Sequence, residues 1–275
     1  MIRHYQHKTL NPQLVYRKLE EFFKEDNIDF DITTISTQAN MQKTVCHFTA
    51  KEDMVFAGKE IIIQAFIKNC SIRSIIRDGL KVKKGGVIAS LVGPIDTILQ
   101  KERVVLNLIQ RLSGIATTTR QLAEKLEPHN IQLLDTRKTT PGLRVFEKFA
   151  VCIGGGINHR LSLKEAVMIK DNHLIGNPDI KDAVAKALSA NPDKDIQIEV
   201  DTVKQLQVAL ETMATSVLLD NFNPKDLPEA IEFIRNSKRG DQIYIELSGG
   251  INKSNIEQYC IAGVDGISMG ALTHN

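Results

Sequence analysis

The segment IQIEVDTVKQLQVALETMATSVLLDN (residues 196–221) contains one complete repeat of the predicted fold. It begins with a short apolar run, continues with a stretch whose apolar residues recur at helical spacing, and ends with a second apolar run. Each apolar run ends in polar residues, at Asp201 in the first case and at Asp220 and Asn221 in the second. A strand, a helix and a second strand in this order are typical of a β/α repeat with a parallel sheet.

The same pattern recurs over most of the second half of the chain. Four more apolar runs are IQLLDTRK (131–138), VMIKDN (167–172), IYIELSGG (243–250) and GISMGA (266–271). Helix-like stretches lie between them, namely KDAVAKALSA, LPEAIEFIRN and SNIEQYCIAG. Strand starts about 20–35 residues apart are typical of an α/β barrel, and a closed barrel of this type has eight strands. The sequence therefore predicts either an open, incomplete barrel or a closed one with two unrecognised strands.

The first part of the chain has a different character. After a polar opening segment come a strand-like run over 44–49, a helical pattern over 58–68, and RDGLKVKKGGVIASLVGP (77–94), which is typical of short antiparallel strands. A second helical pattern begins at Thr97 and places Val105, Leu108, Ile109 and Leu112 on one apolar face. We predict an N-terminal α/β sandwich domain over 1–113 and a barrel domain over 114–275.

Two other properties of the sequence narrow the class of protein. Thirty-five basic and 33 acidic residues leave a net charge of +2, and Trp is absent, so a nucleic-acid or membrane-surface binder that relies on bulk charge or base stacking is excluded. The start, MIRHYQHKTLNPQ, has no apolar signal core, no apolar run reaches membrane-spanning length, and the four cysteines form no Cys-x-x-Cys pair. We therefore expect a cytoplasmic protein.

The predicted strands end in polar or glycine residues. In an α/β barrel these strand ends lie on one rim, where the catalytic residues are found. SGGI (248–251) and SMGA (268–271) are turns whose small residues leave backbone N–H groups able to bind phosphate. The segment 133–174 predicts a helix that starts at Pro141 and ends at Gly154–Gly156. It also carries the basic residues of a predicted anion-binding cluster, which are Arg137, Lys138, His159, Arg160, Lys170 and His173. Glu199 and Asp220, on neighbouring strands, are natural partners for Mg²⁺ beside a phosphate.

With these residues in view, the chain from about residue 25 onward resembles the quinolinate phosphoribosyltransferase family. The resemblance rests on LNLIQRLSGIAT, DTRKTTPGLR, GGGINHR, IKDNH, LLDN, ELSGG and SMGALTH, in the family's order and spacing. It implies an enzyme with an N-terminal α/β sandwich and an open α/β barrel, acting on quinolinate and phosphoribosyl pyrophosphate with Mg²⁺. DFDITT (29–34) departs from the family pattern, because Phe30 stands where Gly is expected.

The resemblance also implies a role for each matching residue. Lys138, Glu199 and Asp220 are implied to be catalytic, and Glu199 and Asp220 to hold the metal, directly or through water. Arg103 is implied to reach across a homodimer interface into the neighbouring site. The implied substrate-binding residues are Arg103, Thr136, Arg137, Lys138, His159, Arg160, Lys170, Glu199, Asp220, Ser248, Gly249, Gly250 and Gly270.

Several alternatives remain at this point. A paralogous family associated with molybdenum transport shares the Arg-Lys-Thr and Gly-rich His-Arg elements but lacks the IKDNH strand end, and the same motif disfavours a nicotinate phosphoribosyltransferase. A barrel aldolase with Lys170 as its Schiff-base lysine is a third alternative, although Asp171 would keep that lysine protonated. A non-catalytic anion-binding protein is the fourth, and it would gain nothing from Glu199 and Asp220. A carrier domain at 77–94 is disfavoured because no modified-lysine hairpin tip is present.

Overall fold

The computed structural model describes residues 4–38 and 42–274 and shows a mixed α/β chain with two compact units. The barrel unit consists of the first described residues through Gln6, Gln121–Arg144, and the chain from Gly156 onward. The small-sheet unit consists of His7–Arg120 and Val145–Gly155. The predicted domain boundary near residue 113 lies inside a continuous helix, and the boundary stays a prediction.

The small-sheet unit is built on a three-stranded antiparallel sheet of order β1-β5-β3, with β2 and β4 forming a separate two-stranded ribbon. Its elements are α1 (Pro12–Glu25), α2 (Ile32–Thr37), β1 (Lys43–Thr49), β2 (Met54–Val55), α3 (Lys59–Phe66), β3 (Ser71–Ile75), β4 (Lys81–Val82) and β5 (Val87–Pro94). The long helix α4 (Ile95–Leu126) follows β5. The predicted strands over 44–49 and 77–94 and the predicted helix over 58–68 are confirmed.

The opening segment contains a helix that the sequence analysis did not identify. In α1 the Asn11 side chain accepts a hydrogen bond from the Leu14 backbone N–H, and Pro12 occupies the first helical position. Val15, Leu19 and Phe23 are buried at helical spacing. The Asn-Pro helix start and the apolar stripe were both present in the sequence. One stripe of three apolar residues is enough to dock an otherwise polar helix.

Helix α4 presents its predicted apolar face to the protein interior. Val105, Leu108, Ile109 and Leu112 are all buried, whereas Arg103 on the polar stripe is exposed. Phe30, which departs from the family pattern, is 76% exposed and therefore does not pack into the core.

The barrel unit is built on a six-stranded parallel sheet of order β6-β11-β10-β9-β8-β7. Its strands are β6 (Gln132–Leu134), β7 (Val167–Ile169), β8 (Ile196–Val200), β9 (Ser216–Asp220), β10 (Tyr244–Ser248) and β11 (Gly266–Ser268). The helices after β6 are α5 (Arg144–Gly154), α6 (Asp171–Leu174), α7 (Ile180–Ala190), α8 (Val203–Leu210), α9 (Leu227–Arg235) and α10 (Ala271–His274). All six predicted strand runs are confirmed, and the SNIEQYCIAG stretch contains only a short 3₁₀ helix.

The parallel sheet is open rather than closed. Its edge strands are β6 and β7, which do not pair with each other. Ile157 makes a single parallel bridge to Leu134 on the free side of β6, between β6 and β7 in chain order. One bridge is too little for a strand, which explains why the apolar pattern of the sequence gave no sign of it.

The central strands are buried on both faces up to their carboxyl ends. In β9 the residues Ser216–Leu219 are buried and Asp220 is half-buried, and in β10 the same change occurs at Ser248. The register pairs Asp220 with Ser248, so these two strand ends lie side by side. The fold therefore places polar residues at one edge of an apolar sheet.

The predicted start of helix α5 is wrong. The helix begins at Arg144, whereas residues 140–143 form a turn in which the Leu143 N–H donates to the Thr140 carbonyl at 3.0 Å. Gly142 has a φ of +83°, a left-handed conformation that cannot continue a right-handed helix. The predicted end at Gly154 is confirmed.

The sequence analysis found no membrane-spanning run and no Cys-x-x-Cys pair. Within residues 4–38 and 42–274, no helix is both long and apolar enough to cross a membrane. The four cysteines are present as thiols rather than disulfides.

Candidate active site

A cavity of about 610 Å³ opens at the carboxyl ends of the parallel strands. It lies within the barrel unit, and all the predicted site residues except Arg103 and His173 line it. Those lining residues are Thr136, Arg137, Lys138, His159, Arg160, Lys170, Glu199, Asp220, Ser248, Gly249, Gly250 and Gly270. Arg103 is exposed on α4 and is not among the residues that line this cavity.

The first wall of the cavity, which we name the cationic side, consists of Arg137, Lys138, His159 and Arg160. In residues 4–38 and 42–274, no carboxylate forms an ion pair with Arg137, Lys138 or Arg160. The Nε of Arg137 is buried and donates to no acceptor within that part of the chain. Burial, and then the neighbouring charge of Arg137, lowers the pKa of Arg160, although a guanidinium stays protonated at physiological pH. Arg160 is buried, Arg137 is half-buried and Lys138 is exposed. A buried or half-buried cation without a carboxylate partner favours an anionic ligand.

The backbone around the cationic side is fixed by a buried carboxylate. Asp135 is fully buried at the end of β6, where it accepts hydrogen bonds from the Asn158 Nδ2 at 2.6 Å and the His159 N–H at 2.8 Å. The Arg160 N–H donates to the His159 Nδ1 at 2.9 Å. Because a backbone N–H can only donate, the ring hydrogen of His159 lies on Nε2, 3.4 Å from the buried Glu246 Oε2. The His159 ring therefore accepts a hydrogen bond at Nδ1 and faces a buried carboxylate at Nε2.

A second wall of the cavity, which we name the carboxylate side, consists of Lys170, Glu199 and Asp220. Lys170 Nζ forms an ion pair with Glu199 Oε2. Burial raises the pKa of Glu199 above its usual range, and this effect outweighs the hydrogen bond and charge of Lys170, which lower the pKa. Asp220 Oδ2 accepts a hydrogen bond from Asn221 Nδ2 at 2.6 Å. On the carboxylate side, Lys170 thus balances the negative charge of Glu199.

The carboxylate side fits a substrate-linked magnesium ion better than a metal held by protein alone. Among the described residues, no cluster of three or more His, Cys, Asp or Glu side chains is arranged to hold a metal. Glu199 and Asp220 nevertheless offer two hard carboxylate donors next to the cationic side. Mg²⁺ is commonly bound by one or two carboxylates together with substrate phosphates, so the donor set fits this ion.

Two glycine-containing turns form the third part of the cavity lining. Gly249 (φ +92°) and Gly250 (φ +62°) follow β10, and Gly270 follows β11. Within the described chain, the N–H groups of these three glycines make no hydrogen bond to a protein acceptor. A Cβ at Gly249 would lie 2.3 Å from the Asn221 Oδ1, so only glycine fits there. Unsatisfied N–H groups beside cations are suited to phosphate.

Sequence reasoning missed several residues of the cavity, among them the buried carboxylate Glu246. Glu246 is 1% exposed, accepts a hydrogen bond from Gln197 Nε2 at 2.7 Å and faces His159. A carboxylate inside the apolar run IYIEL was a visible signal, because a charged residue in a buried strand needs a partner. The other lining residues outside the predicted set are Met168, Leu218, Ile251, Asn252, Ser268, Ala271 and His274.

Two family models match the chain. The model of the quinolinate phosphoribosyl transferase N-terminal domain matches residues 31–113, and the model of the C-terminal domain of the same enzyme matches residues 115–275. Together they span most of the chain, and the second contains every residue that lines the cavity.

Named relatives agree with the family models. A probable nicotinate-nucleotide pyrophosphorylase (carboxylating) of Bacillus subtilis is 40% identical over 270 residues, which cover 97% of this chain and 91% of that relative. One of Methanocaldococcus jannaschii is also 40% identical, with 89% of this chain and 88% of the relative covered.

Solved structures show the same similarity in three dimensions. The nicotinate-nucleotide pyrophosphorylase of Francisella tularensis superposes with a TM-score of 0.92 at 34% identity, covering 99% of this chain and 96% of that one. A human nicotinic acid phosphoribosyltransferase gives 0.56 at 11% identity, which shows a shared fold alone. These findings do not favour the molybdenum-transport paralogue or the aldolase, and the Lys170–Glu199 ion pair opposes the neutral amine that a Schiff base requires. By its motifs, its two matching domains and its relatives, the chain belongs to the quinolinate phosphoribosyltransferase family.

Proposed function

We propose that this chain transfers the phosphoribosyl group of phosphoribosyl pyrophosphate to the ring nitrogen of quinolinate. The products are nicotinate mononucleotide, pyrophosphate and CO₂, and the nucleotide enters NAD biosynthesis. The observation that carries this proposal is the composition of the cavity. Three cations that pair with no carboxylate among residues 4–38 and 42–274, two carboxylates and two glycine turns line one space of about 610 Å³, as two polyanionic substrates require. We place the reaction in the cytoplasm, in keeping with four cysteines that form no disulfide.

Each part of the cavity has a proposed binding task. Arg137 and Arg160 bind the two carboxylates of quinolinate, since planar guanidinium groups match carboxylates bidentately. The N–H groups of Gly249, Gly250 and Gly270, with Ser248, bind the 5-phosphate of the donor. Glu199 and Asp220 hold the ribose hydroxyls and Mg²⁺. Thr136, whose Oγ1 accepts a hydrogen bond from the Lys138 N–H at 3.0 Å, shapes the loop that presents Lys138.

The chemistry follows from these positions. As the bond between the ribose carbon and pyrophosphate breaks, positive charge develops on the sugar, and the carboxylates of Glu199 and Asp220 stabilise it. Lys138 stabilises the negative charge on the departing pyrophosphate, while the ring nitrogen donates its electron pair to the sugar carbon. The nitrogen is then cationic and stabilises the electron pair left on C2 when the 2-carboxylate departs as CO₂. A proton taken up at C2 completes nicotinate mononucleotide.

Mg²⁺, when bound, neutralises part of the charge of the pyrophosphate and orients it. The chain itself contributes Glu199 and Asp220 as ligands, directly or through water. The Lys170 ion pair keeps Glu199 oriented before the substrates bind.

Turnover of quinolinate is the direct test. Purified protein supplied with Mg²⁺, phosphoribosyl pyrophosphate and quinolinate labelled at the 2-carboxyl should release labelled CO₂ and form nicotinate mononucleotide in equal amounts. Nicotinate in place of quinolinate serves as the control, because it lacks the carboxylate that leaves. Turnover of nicotinate with none of quinolinate would contradict the proposal.

We further propose that the chain works as a homodimer in which Arg103 enters the partner's cavity. Arg103 is exposed on α4 and does not line the cavity of its own chain. An exposed arginine in the KERVVLN stretch of α4, just before the family motif LNLIQRLSGIAT, is suited to contact an anion in another subunit. Whether dimers assemble further does not affect this role.

Mixed dimers test the sharing of sites. Arg103→Ala and Arg160→Ala chains should each be inactive alone, but a mixture should recover up to about a quarter of parental activity, because half of the dimers are mixed and each contains one intact site. Differently tagged chains and tandem purification would verify that mixed dimers formed. Confirmed mixed dimers without activity would contradict a shared site.

A further inference from the structure

Residues 4–6 lie outside both matched family domains, and the described structure assigns them to the barrel unit. The chain enters the small-sheet unit only at His7. The opening segment therefore contacts the part of the molecule that contains the cavity, 152 residues away along the chain at its closest contact.

The main contact is made by one side chain on one peptide segment. The Gln6 Oε1 accepts a hydrogen bond from the Asn158 N–H at 2.8 Å, and the Gln6 Nε2 donates to the Asn158 carbonyl at 3.1 Å. A single amide thereby binds both polar groups of the Asn158 backbone. The Gln6 Nε2 also donates to the His4 carbonyl at 3.1 Å, which ties the segment to itself.

The second contact is made on the residue next to Asn158. The rings of His4 and His159 have centroids 4.7 Å apart with an angle of 31° between their planes, a tilted stacking arrangement. His159 lines the cavity, while Asn158 is fully buried behind it. The His4 ring covers one face of His159, and the ring edges of His159 contact Arg160 and Glu246.

We propose that residues 4–6 are a positioning element of the active site, in which Gln6 fixes the backbone at Asn158 and His4 fixes the ring plane of His159. This inference rests on the proposed function, since that function assigns quinolinate binding to Arg160, whose backbone N–H donates to the His159 ring. Asp135 holds the same two residues from the barrel side, so the loop is clamped between a buried carboxylate and the opening segment. Neither Gln6 nor His4 lines the cavity, and their effect on the reaction is indirect.

The kinetic test compares four variants of the full chain. Gln6→Ala and His4→Ala should each raise KM for quinolinate about tenfold, the effect of losing one or two hydrogen bonds or a ring contact. KM for phosphoribosyl pyrophosphate should stay within about twofold of the parental value, because the contacts that Gln6 and His4 make with Asn158 and His159 lie outside the glycine turns. His4→Phe keeps the stacked ring and should restore the parental KM. Lys8→Ala, at an exposed position two residues beyond Gln6, is the matched control.

A spectroscopic readout separates this inference from the proposed function. In ¹⁵N-histidine-labelled protein, a His159→Gln variant identifies the His159 signals, which should show a hydrogen on Nε2 in the parental chain. Gln6→Ala and His4→Ala should shift or broaden these signals, and Lys8→Ala should not. Failure of the parental chain to use quinolinate, with the His159 signals shifted, would contradict the proposed function but support the positioning element.

Other results would overturn the positioning element. Unchanged His159 signals together with a parental KM for quinolinate in both variants would do so. An equal rise of both KM values with a matching fall in thermal stability would also do so, because it would show a general structural role. If Gln6→Ala does not fold, Gln6→Glu keeps the acceptor for the Asn158 N–H, loses the donor, and serves in its place.

Discussion

The cationic side and the carboxylate side of the cavity neutralise their charges in different ways. Arg137 and Arg160 have no carboxylate partner in the described chain, and the loop that holds Arg160 is fixed by the buried Asp135. On the carboxylate side, Glu199 is paired with Lys170 before any ligand is present. The cationic side is thus preorganised for an anion that supplies the missing charge. The carboxylate side is preorganised for a cation that develops or arrives later.

Removal of the charge on the carboxylate side should have the largest effect. Glu199→Gln keeps the shape of the side chain but cannot stabilise positive charge on the sugar, so kcat should fall about 10²–10³-fold. Glu211→Gln breaks another Lys–Glu pair, the exposed one with Lys181, and should leave kcat unchanged. Steady-state assays at saturating substrates would measure both. A kcat for Glu199→Gln within tenfold of the parental value would show that this wall does not act on the transition state.

Removal of a charge on the cationic side should act on binding instead. Arg137→Ala should raise KM for quinolinate about 10–100-fold, the effect of losing charge-assisted hydrogen bonds. Arg137→Lys keeps the charge but loses the bidentate geometry and should give an intermediate KM. Arg73→Ala, at an exposed position on β3, is the control. If Arg137→Ala lowers kcat and leaves KM unchanged, the cationic side acts on the transition state and not on substrate binding, contrary to the proposal.

The smallest expected effect concerns pH. Burial raises the pKa of Glu199, and the charges of Asp220 and then Asp171 raise it further. Protonated Glu199 neither pairs with Lys170 nor binds a cation, so kcat/KM should fall on acidification at a higher pH than for an ordinary glutamate. Asp171→Asn removes one raising charge and should move this fall to lower pH without changing the plateau. In the parental chain the Asn172 N–H donates a hydrogen bond to Asp171 Oδ1 at 2.6 Å. The side-chain amide introduced by Asp171→Asn still has an oxygen that can accept this hydrogen bond.

A pH–rate profile of both proteins from about pH 4 to 9 would measure this difference, a range that covers ordinary carboxyl and histidine titrations. Identical acid limbs for the parental chain and Asp171→Asn would mean that another group controls the fall. An upward shift in Asp171→Asn would contradict the sign of the charge effect.

The sequence predicted the parallel sheet well because its signal is local. The central strands β9 and β10 are buried on both faces, so a short apolar run that ends in a polar residue marks them, as with Asp220 at the end of β9. The same feature predicted the cavity, since parallel strands that follow one another place their carboxyl ends on one rim. The predicted start of α5 was wrong. Thr140 and Pro141 suit the start of a helix, but Gly142 adopts a left-handed conformation that prevents it.

The cavity residues that sequence reasoning missed depend on contacts between distant positions. Glu246 is held by Gln197 and faces His159, and no spacing along the chain connects these residues. The contact of His4 with His159 has the same character, because a polar opening segment shows no pattern that indicates where it docks.

By itself, the sequence determined the parallel β/α repeats, the family and nearly the whole set of charged residues at the rim. Apolar periodicity and motif order are properties of neighbouring residues, so they can be recognised without knowledge of the tertiary contacts. Only the tertiary structure decided which charges are neutralised and which are not. It paired Lys170 with Glu199, left Arg137 without a carboxylate partner in the described chain, and placed residues 4–6 against Asn158 and His159. Charge pairing depends on distances of a few ångströms between residues far apart in the chain, and packing alone sets those distances.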